Sequence, residues 1–286
     1  MNVLITGGAG YIGAALALAL QKISEISKIT LFDNLANNQY TVFATCKFTD
    51  KVTFIHGDIL NNYLLQKTVK QHDIVVHLAS AAEDIFKDGH HTEQVNHWGT
   101  TQLCDALAMY NKKLIYLSWD STLQDEVSIY QDINASSYFR AEFQIKRLRE
   151  YLIIHCGEVY GYSPTFNISS HINCWMAQAI TKNKIEIPGN GRHTINIISL
   201  QNVVMALSHA IINYKQGDYN VAGSHLQMLD ILEHMQNTFA SLEFVFINPH
   251  LQLPSKQELK HTYEVIFPSH SLKVDLADYR QKLCFY

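Results

Sequence analysis

The sequence predicts an α/β fold, a doubly wound parallel sheet with a smaller C-terminal lobe. Three observations carry that expectation. Short apolar runs alternate with helical patterns as far as about residue 160, a glycine-rich stretch joins the first run to the first helix, and the alternation loosens after that. Strands and helices alternating in this way build parallel sheets covered on both faces, with right-handed crossovers. The expected division is 1–160 for the sheet domain and 161–286 for the lobe, interleaved with the sheet, with a ligand cleft between them.

The first run, "NVLIT", is followed at once by glycines and then by the helical pattern of "YIGAALALALQKI". "KITLFD" repeats the strand signal, and "KVTFIHGD", "DIVVHLAS", "KLIYLS" and "YLIIHCGEVYG" follow it. Helical patterns over 62–71, 92–110 and 137–150 lie between the last four. Farther on, "IEIPGNGRHTINII" reads as two short strands around a Gly-rich turn, and helices are expected near 171–182 and 201–214. No internal repeat or low-complexity linker interrupts the chain.

Composition narrows the function classes. A chain of 286 residues that is 47% apolar and 17% charged can bury a substantial core. Its net charge of -4 offers no general attraction to nucleic acid or to an anionic membrane. "YIGAALALAL" is too short to span a bilayer and has no cationic leader, so neither a membrane span nor a signal peptide is expected. Five cysteines, scattered and never in a C-x-x-C pair, point to free thiols and a cytoplasmic location. The densest histidine cluster, "GHHTEQVNH", lacks a ligand spacing, and no metal site is expected.

"TGGAGYIG" starts at Thr6. Gly7, Gly10 and Gly13 fit G-x-x-G-x-x-G, while Gly8, Gly10 and Gly13 fit G-x-G-x-x-G. Either spacing answers one physical demand: a tight turn, a backbone that approaches a pyrophosphate with no Cβ in the way, and a helix packed closely on its strand. The helix then points its N–H groups at the phosphates. The alternative is a tight turn that binds nothing. Asp33 ends the next strand, twenty residues after Gly13, where a carboxylate accepts from the adenosine ribose and repels a 2′-phosphate. NAD is therefore expected over NADP.

With "FDNL", "GDIL", "VVHLAS", "VNHWGT", "GEVYG", "IPGNGRHT" and "YNVAG" added, the chain resembles the extended short-chain dehydrogenase/reductase family. That family comprises Rossmann-type, NAD-dependent nucleotide-sugar epimerases and dehydratases. The resemblance implies a cofactor site made from Gly7, Gly10, Tyr11, Ile12, Gly13, Asp33 and Asn34. It places Asp58 and Ile59 at the adenine, has Leu78, Ala79 and Ser80 line the cofactor, and gives Asn96 the task of holding that loop. Without it, Asp58 and Asn96 read as turn or helix caps. It also implies a homodimer through the helices at 92–110 and 137–150.

At the reaction centre the family uses a Ser or Thr after the fifth strand and a Tyr-x-x-x-Lys, whose lysine lowers the tyrosine's pKa and binds the nicotinamide ribose. Tyr138 fits, but Glu142 stands where the lysine would be. A charge about 4 Å away at an effective dielectric of about 20 is worth roughly 4 kcal/mol, so a reversed sign disfavours the tyrosinate. Neither Arg140, which faces away from Tyr138, nor Lys146, two turns along, is expected to compensate. On that reading the carboxylate could still serve the ribose, and Glu142→Lys should lower the Tyr138 pKa. Trp119 occupies the Ser/Thr position, leaving Ser118, Ser121 or Asp120 to assist. His155-Cys156 replaces an Arg-Pro, and Ile195 an arginine used for the substrate diphosphate. Arg192, in its Gly-rich turn, is the candidate phosphate contact; an ordinary exposed charge is the alternative. Two functions follow: a divergent epimerase, dehydratase or reductase acting on a nucleotide-sugar-like substrate with an eroded catalytic site, Tyr138 serving as general acid, or a non-catalytic NAD(H)-binding sensor or regulatory partner.

Overall fold

The computed structural model describes every residue except 49, 82–88, 121–132, 269–270 and 284–286. The chain divides into two compact units. The first comprises Met1–His155, Ser163–Thr165 and Val204–Tyr219; the second comprises Cys156–Tyr162, Phe166–Val203 and Asn220–Tyr286.

The first unit is built on a parallel sheet. Strands β1 (Asn2–Thr6), β2 (Lys28–Asp33), β3 (Val52–His56), β4 (Ile74–His77), β5 (Lys113–Trp119), β6 (Tyr151–Cys156) and, much later in the chain, β10 (Gly217–Val221) form it. Their order is β10-β6-β5-β4-β1-β2-β3, and the pairs β1–β2, β1–β4, β2–β3 and β4–β5 are parallel. The order turns back at β1 and β4, the switch point at which doubly wound sheets bind ligands beyond their strand ends. All four residues of β4 are buried, as are Val3–Thr6 of β1, which is why both strands read as unbroken runs rather than alternations.

The covering helices are α1 (Tyr11–Leu20), the short α2 (Val42–Thr45), α3 (Asn62–Lys70), α4 (Gly89–Glu93), α5 (Thr100–Tyr110), α6 (Ile133–Ile145) and α8 (Leu200–Ile212), the last continuing the chain after an excursion through the second unit. The stretch read as one helix over 92–110 is instead interrupted by a π-helical turn, Gln94–Gly99, which carries Asn96 and Gly99 into the interior. The helix expected over 137–150 begins earlier, at Ile133, and ends at Ile145.

His77 holds β1, β4 and α5 together. Its Nδ1 lies 2.7 Å from Thr6 Oγ1 and its Nε2 2.8 Å from Thr100 Oγ1. Because Thr100 already donates its proton to the Asn96 carbonyl at 2.5 Å, it must accept from His77, so Nε2 carries the hydrogen and Nδ1 accepts from Thr6. The ring is buried and neutral.

The second unit carries a three-stranded sheet, β11-β9-β7, from β7 (Glu158–Tyr160), β9 (Thr194–Ser199) and β11 (Ser224–Gln227). A separate parallel pair joins β8 (Lys184–Pro188) to β12 (Glu243–Ile247). The two strands read around "PGNGRH" are therefore both present, but belong to different sheets. Helices α7 (His171–Lys182), α9 (Met228–Thr238) and α10 (Leu272–Leu283) pack on them, with Trp175, Met176, Ile187, Ile197, Met235 and Leu276 in one core. Among the described residues, no helix is long and apolar enough to cross a membrane.

Burial pushes the His77 pKa down from 6.5 to about 3. Above pH 6.5 both folded and unfolded chains leave this ring neutral. As the pH falls from 6.5 towards 3, only the unfolded chain takes up the proton, and stability drops by about 1.4 kcal/mol per unit. Urea unfolding at pH 8 and pH 5 should show the wild type losing about 2 kcal/mol more than His77→Gln. Equal losses would remove His77 as the cause.

Candidate active site

The glycine turn is made of backbone pressed on backbone. Gly7 has φ +69°, and a Cβ there would sit 2.7 Å from the Leu78 carbonyl and the Ala79 nitrogen. A Cβ on Gly13 would collide with the Gly7 carbonyl oxygen, so α1 can lie against the turn only with glycine at that position. The N-cap of α1 is Gly10, and no side chain caps this helix end. The dipole of such a helix end attracts an anion. Two residues that the sequence reading did not single out close the turn from above: Ser163 donates to the Tyr11 carbonyl at 2.7 Å, and Thr165 to the Ala9 carbonyl at 3.0 Å.

Asp33 stands at the end of β2. Ala9 N donates to one of its oxygens at 3.0 Å and Leu35 N to the other at 2.8 Å. Burial raises its pKa, against the lowering by those two bonds. Asn34 donates to Asp58 at 2.9 Å, and Leu60 N donates to the other Asp58 oxygen, so both residues shape the rim beside Asp33. Ile59 is buried beneath Gly99, where a Cβ would meet it at 2.7 Å. Tyr11 is buried and Ile12 half-buried at the head of α1, while Leu78 and Ala79 are half-buried and Ser80 is exposed.

Asn96 holds the loop after β4. Its carbonyl oxygen accepts from Ala81 N at 2.8 Å, and its amide donates to the Ala81 carbonyl and to Ser137 Oγ, both at 3.1 Å. The π-helical turn supplies the extra residue per turn that points this side chain inwards. The loop of 78–81 is thereby tied to α6 at the residue before Tyr138.

The reaction end follows from strand alternation. Leu114 and Tyr116 of β5 and Ile153 of β6 pack against Tyr138, Ala141 and Ile145 of α6 in one apolar layer. One step farther along each strand, on the same face, stand Ser118 and His155. Both meet Glu142. Its Oε1 accepts from Ser118 Oγ at 2.5 Å and lies 3.1 Å from His155 Nε2. Lys146 Nζ is 3.9 Å from Oε2 and 2.8 Å from Asp218. Glu142 is only 4% exposed, Ser118 0% and His155 2%. Burial lowers the Lys146 pKa, but the bond and charge of Asp218, with Glu142 behind it, raise it on balance. Burial, then the charges of Tyr138 and Glu142, push the Tyr116 hydroxyl well above its ordinary value.

These contacts change the picture drawn from the sequence. The carboxylate is buried, with Oε1 already engaged by Ser118 and lying beside His155. His155, seen in the sequence only as a departure from Arg-Pro, is its partner, and alternation in "KLIYLSW" and "YLIIHC" would have put it opposite Ser118. Lys146, two turns along from Tyr138, is i+4 from Glu142. Arg140 does face elsewhere, forking onto Glu93 at 3.1 and 2.5 Å. Tyr138 is 8% exposed on the inner face of α6. Asp120 is half-buried just past β5, and Ser121 lies outside the described residues.

In the second unit Arg192 is exposed in the Gly189–Gly191 turn, and Ile195 is in the core. The sequence reading missed Glu158. It accepts from His171 N at 2.6 Å and Ser170 Oγ at 2.9 Å, and pairs with His171 Nδ1 at 2.7 Å, so a carboxylate of the chain itself covers the start of α7.

Residues 3–222 match the sequence model of the NAD dependent epimerase/dehydratase family. Among curated proteins, a dTDP-D-glucose 4,6-dehydratase of Dictyostelium discoideum is 27% identical over 82% of this chain. A UDP-glucose 4-epimerase of Yersinia enterocolitica is 32% identical over 44% of it. The matches span 62% and 39% of those two relatives' own lengths. Among solved structures, the UDP-glucuronic acid 4-epimerase of Bacillus cereus, in complex with UDP-glucuronic acid and NAD, superposes with a TM-score of 0.83 at 22% identity, covering 99% of this chain and all of that one. This likeness shows the fold.

An exchange of Glu142 for lysine is not a simple reversal of charge beside Tyr138, because it sets a cation against Lys146 and His155 and removes the acceptor of Ser118. Glu142→Lys should cost about 3 kcal/mol or more in urea unfolding, as when one partner of a buried pair is removed. Glu142→Gln, which keeps an acceptor, should cost about 1 kcal/mol. A lysine variant as stable as the wild type would show that the carboxylate is not held as described.

Proposed function

The chain belongs to the NAD-dependent epimerase/dehydratase family, and we propose that it binds NAD on the glycine turn and takes a nucleotide-sugar-like substrate, with the tyrosinate route that the family resemblance implies closed. The cradle fits a dinucleotide. Glycines occupy the positions where a Cβ would strike backbone, the start of α1 has no side-chain cap, and Asp33 stands at the end of the neighbouring strand. NAD, when bound, supplies the hydride acceptor. Asp33 orients the adenosine ribose and excludes a 2′-phosphate, and Asn96 keeps the lining loop in place.

The observation that supports the second half of the reading is Glu142. One turn after Tyr138, a buried carboxylate stands where the family resemblance implies a lysine, and a negative charge there disfavours the tyrosinate, leaving Tyr138 the role of proton donor rather than base. Trp119 adds to this, standing at the position of the assisting hydroxyl. The same pair of residues supports a second reading, a non-catalytic NAD(H)-binding sensor or regulatory partner. Dimerisation is part of the proposal: Trp98, Met109 and Phe143 are 53%, 61% and 64% exposed on the π-turn, α5 and α6, the helices expected to pair.

Calorimetry should give NAD at least tenfold tighter binding than NADP, about 1.4 kcal/mol; equal affinities remove Asp33 as the discriminating group. With NAD bound, added UDP- and dTDP-sugars should produce negligible reduced nicotinamide absorbance at neutral pH. Brisk reduction that Glu142→Gln abolishes would make Glu142 a base and overturn the closed-route reading. Light scattering should show a dimer at micromolar concentration that Phe143→Arg shifts to monomer. A monomeric wild type would refute the pairing.

A further inference from the structure

Ser163 and Thr165 reach the glycine turn as a pair. Both belong to the first unit, and both are buried, at 5% and 2% exposed. Their hydroxyls stand two residues apart in "SPT", and the carbonyls they donate to, Tyr11 and Ala9, also stand two residues apart. Pro164 between them fixes one backbone angle and keeps Ser163 out of the helical region, so few conformations are open to the pair. A buried hydroxyl costs free energy unless it is hydrogen-bonded, and main-chain oxygens of the turn satisfy both. Thr165 is joined to a third hydroxyl, because Thr41 Oγ1 lies 3.0 Å from Thr165 Oγ1. The Thr165 proton is already on the Ala9 carbonyl, so Thr165 accepts from Thr41. Hydroxyls in series polarise one another, which strengthens the bond to Ala9.

Ala9 is fully buried between Gly8 and Gly10, and its N–H donates to Asp33 at 3.0 Å. The peptide from Ala9 to Gly10 is held on both sides, by Thr165 at its oxygen and by the Gly7 carbonyl, 3.0 Å from Gly10 N. Glycine adopts positive φ about as readily as negative, so Gly10 itself puts up little resistance to a rotation of this peptide. Such a rotation would break both bonds. It would also reverse a peptide dipole at the head of α1, where the phosphates of a dinucleotide are expected. Ser163 holds the Tyr11–Ile12 peptide, the first within α1, by its oxygen in the same way.

We propose that Ser163 and Thr165 are positioning residues for the cofactor: through the Tyr11 and Ala9 carbonyls they hold the first amides of α1 in the arrangement that receives the pyrophosphate. The proposal rests on the NAD-binding reading and adds to it two hydroxyls, distant in sequence, that act through the turn.

The test is the NAD dissociation constant, measured by calorimetry on the full chain and on four variants. Thr165→Val, which keeps the shape and removes the hydroxyl, should weaken NAD binding at least fivefold. Thr165→Ser, which keeps a hydroxyl, should stay within twofold of the wild type. Ser163→Ala should weaken binding at least threefold. Thr68→Val controls for the loss of any buried hydroxyl: Thr68 is 3% exposed and donates to the Leu64 carbonyl within α3, so this variant should bind NAD as tightly as the wild type. If Thr165→Val fails to fold, Ser163→Ala decides alone, and an affinity equal to the wild type's refutes the proposal. Wild-type affinity in Thr165→Val, no rescue by Thr165→Ser, or an equal loss in Thr68→Val overturns it while leaving the cofactor reading intact. A wild type that binds no NAD overturns both.

Discussion

A carboxylate taken out of water has to be met by other groups, and the carboxyl ends of β5 and β6 are organised around that requirement at Glu142. The effective cost of burying an ion is several kcal/mol. Ser118 from one strand, His155 from the next and Lys146 from the following turn of α6 offset it. Below them the same face is apolar, with Leu114, Tyr116 and Ile153 against Ala141 and Ile145. Polar chemistry is therefore confined to the end of the layer where a doubly wound sheet meets its ligands. His155 Nδ1 has no hydrogen-bond partner among the described residues, so the offset is incomplete.

The two halves of the site were unequally legible. The glycine turn, Asp33 and the Asn96 loop contact are local or backbone-driven, and a strand, a tight turn and a helix in succession leave few ways to fold. Their signature survives in a single sequence. The network at Glu142 depends on which residues of separate elements come level with one another, and spacing along the chain does not state that. In the sequence His155 shows only as a departure from Arg-Pro, and Lys146 only as a residue two turns from Tyr138. The π-turn at Gln94–Gly99 reads as helix in the sequence, because a single π-turn sits inside an otherwise α-helical stretch. Ser163 and Thr165 carried no signal at all, since their contacts with the glycine turn span 152 and 156 residues of sequence.

The second unit repeats the lesson about charge. Glu158 lies in "GEVYG", a stretch quoted for its likeness to a family, and its own chemistry went unread. In the structure it caps α7 with one oxygen and holds His171 with the other. Burial lowers the His171 pKa, but the bond and charge of Glu158 outweigh it and raise it. In both units a carboxylate at a family motif has recruited a histidine of the same chain.

The glycine turn and the end of the layer at residue 142 are constrained by different physics. At Gly7 and Gly13 the neighbours of an added Cβ are main-chain atoms, which cannot step aside without moving β1, α1 or the loop after β4. Any side chain there is rejected by geometry, whatever its chemistry. At residue 142 the constraint is electrostatic, and electrostatics can be met in more than one way: a carboxylate is tolerated once hydroxyl, imidazole and ammonium groups converge on it. Substitution at that end therefore alters the sign of the local charge without disturbing the sheet or the turn.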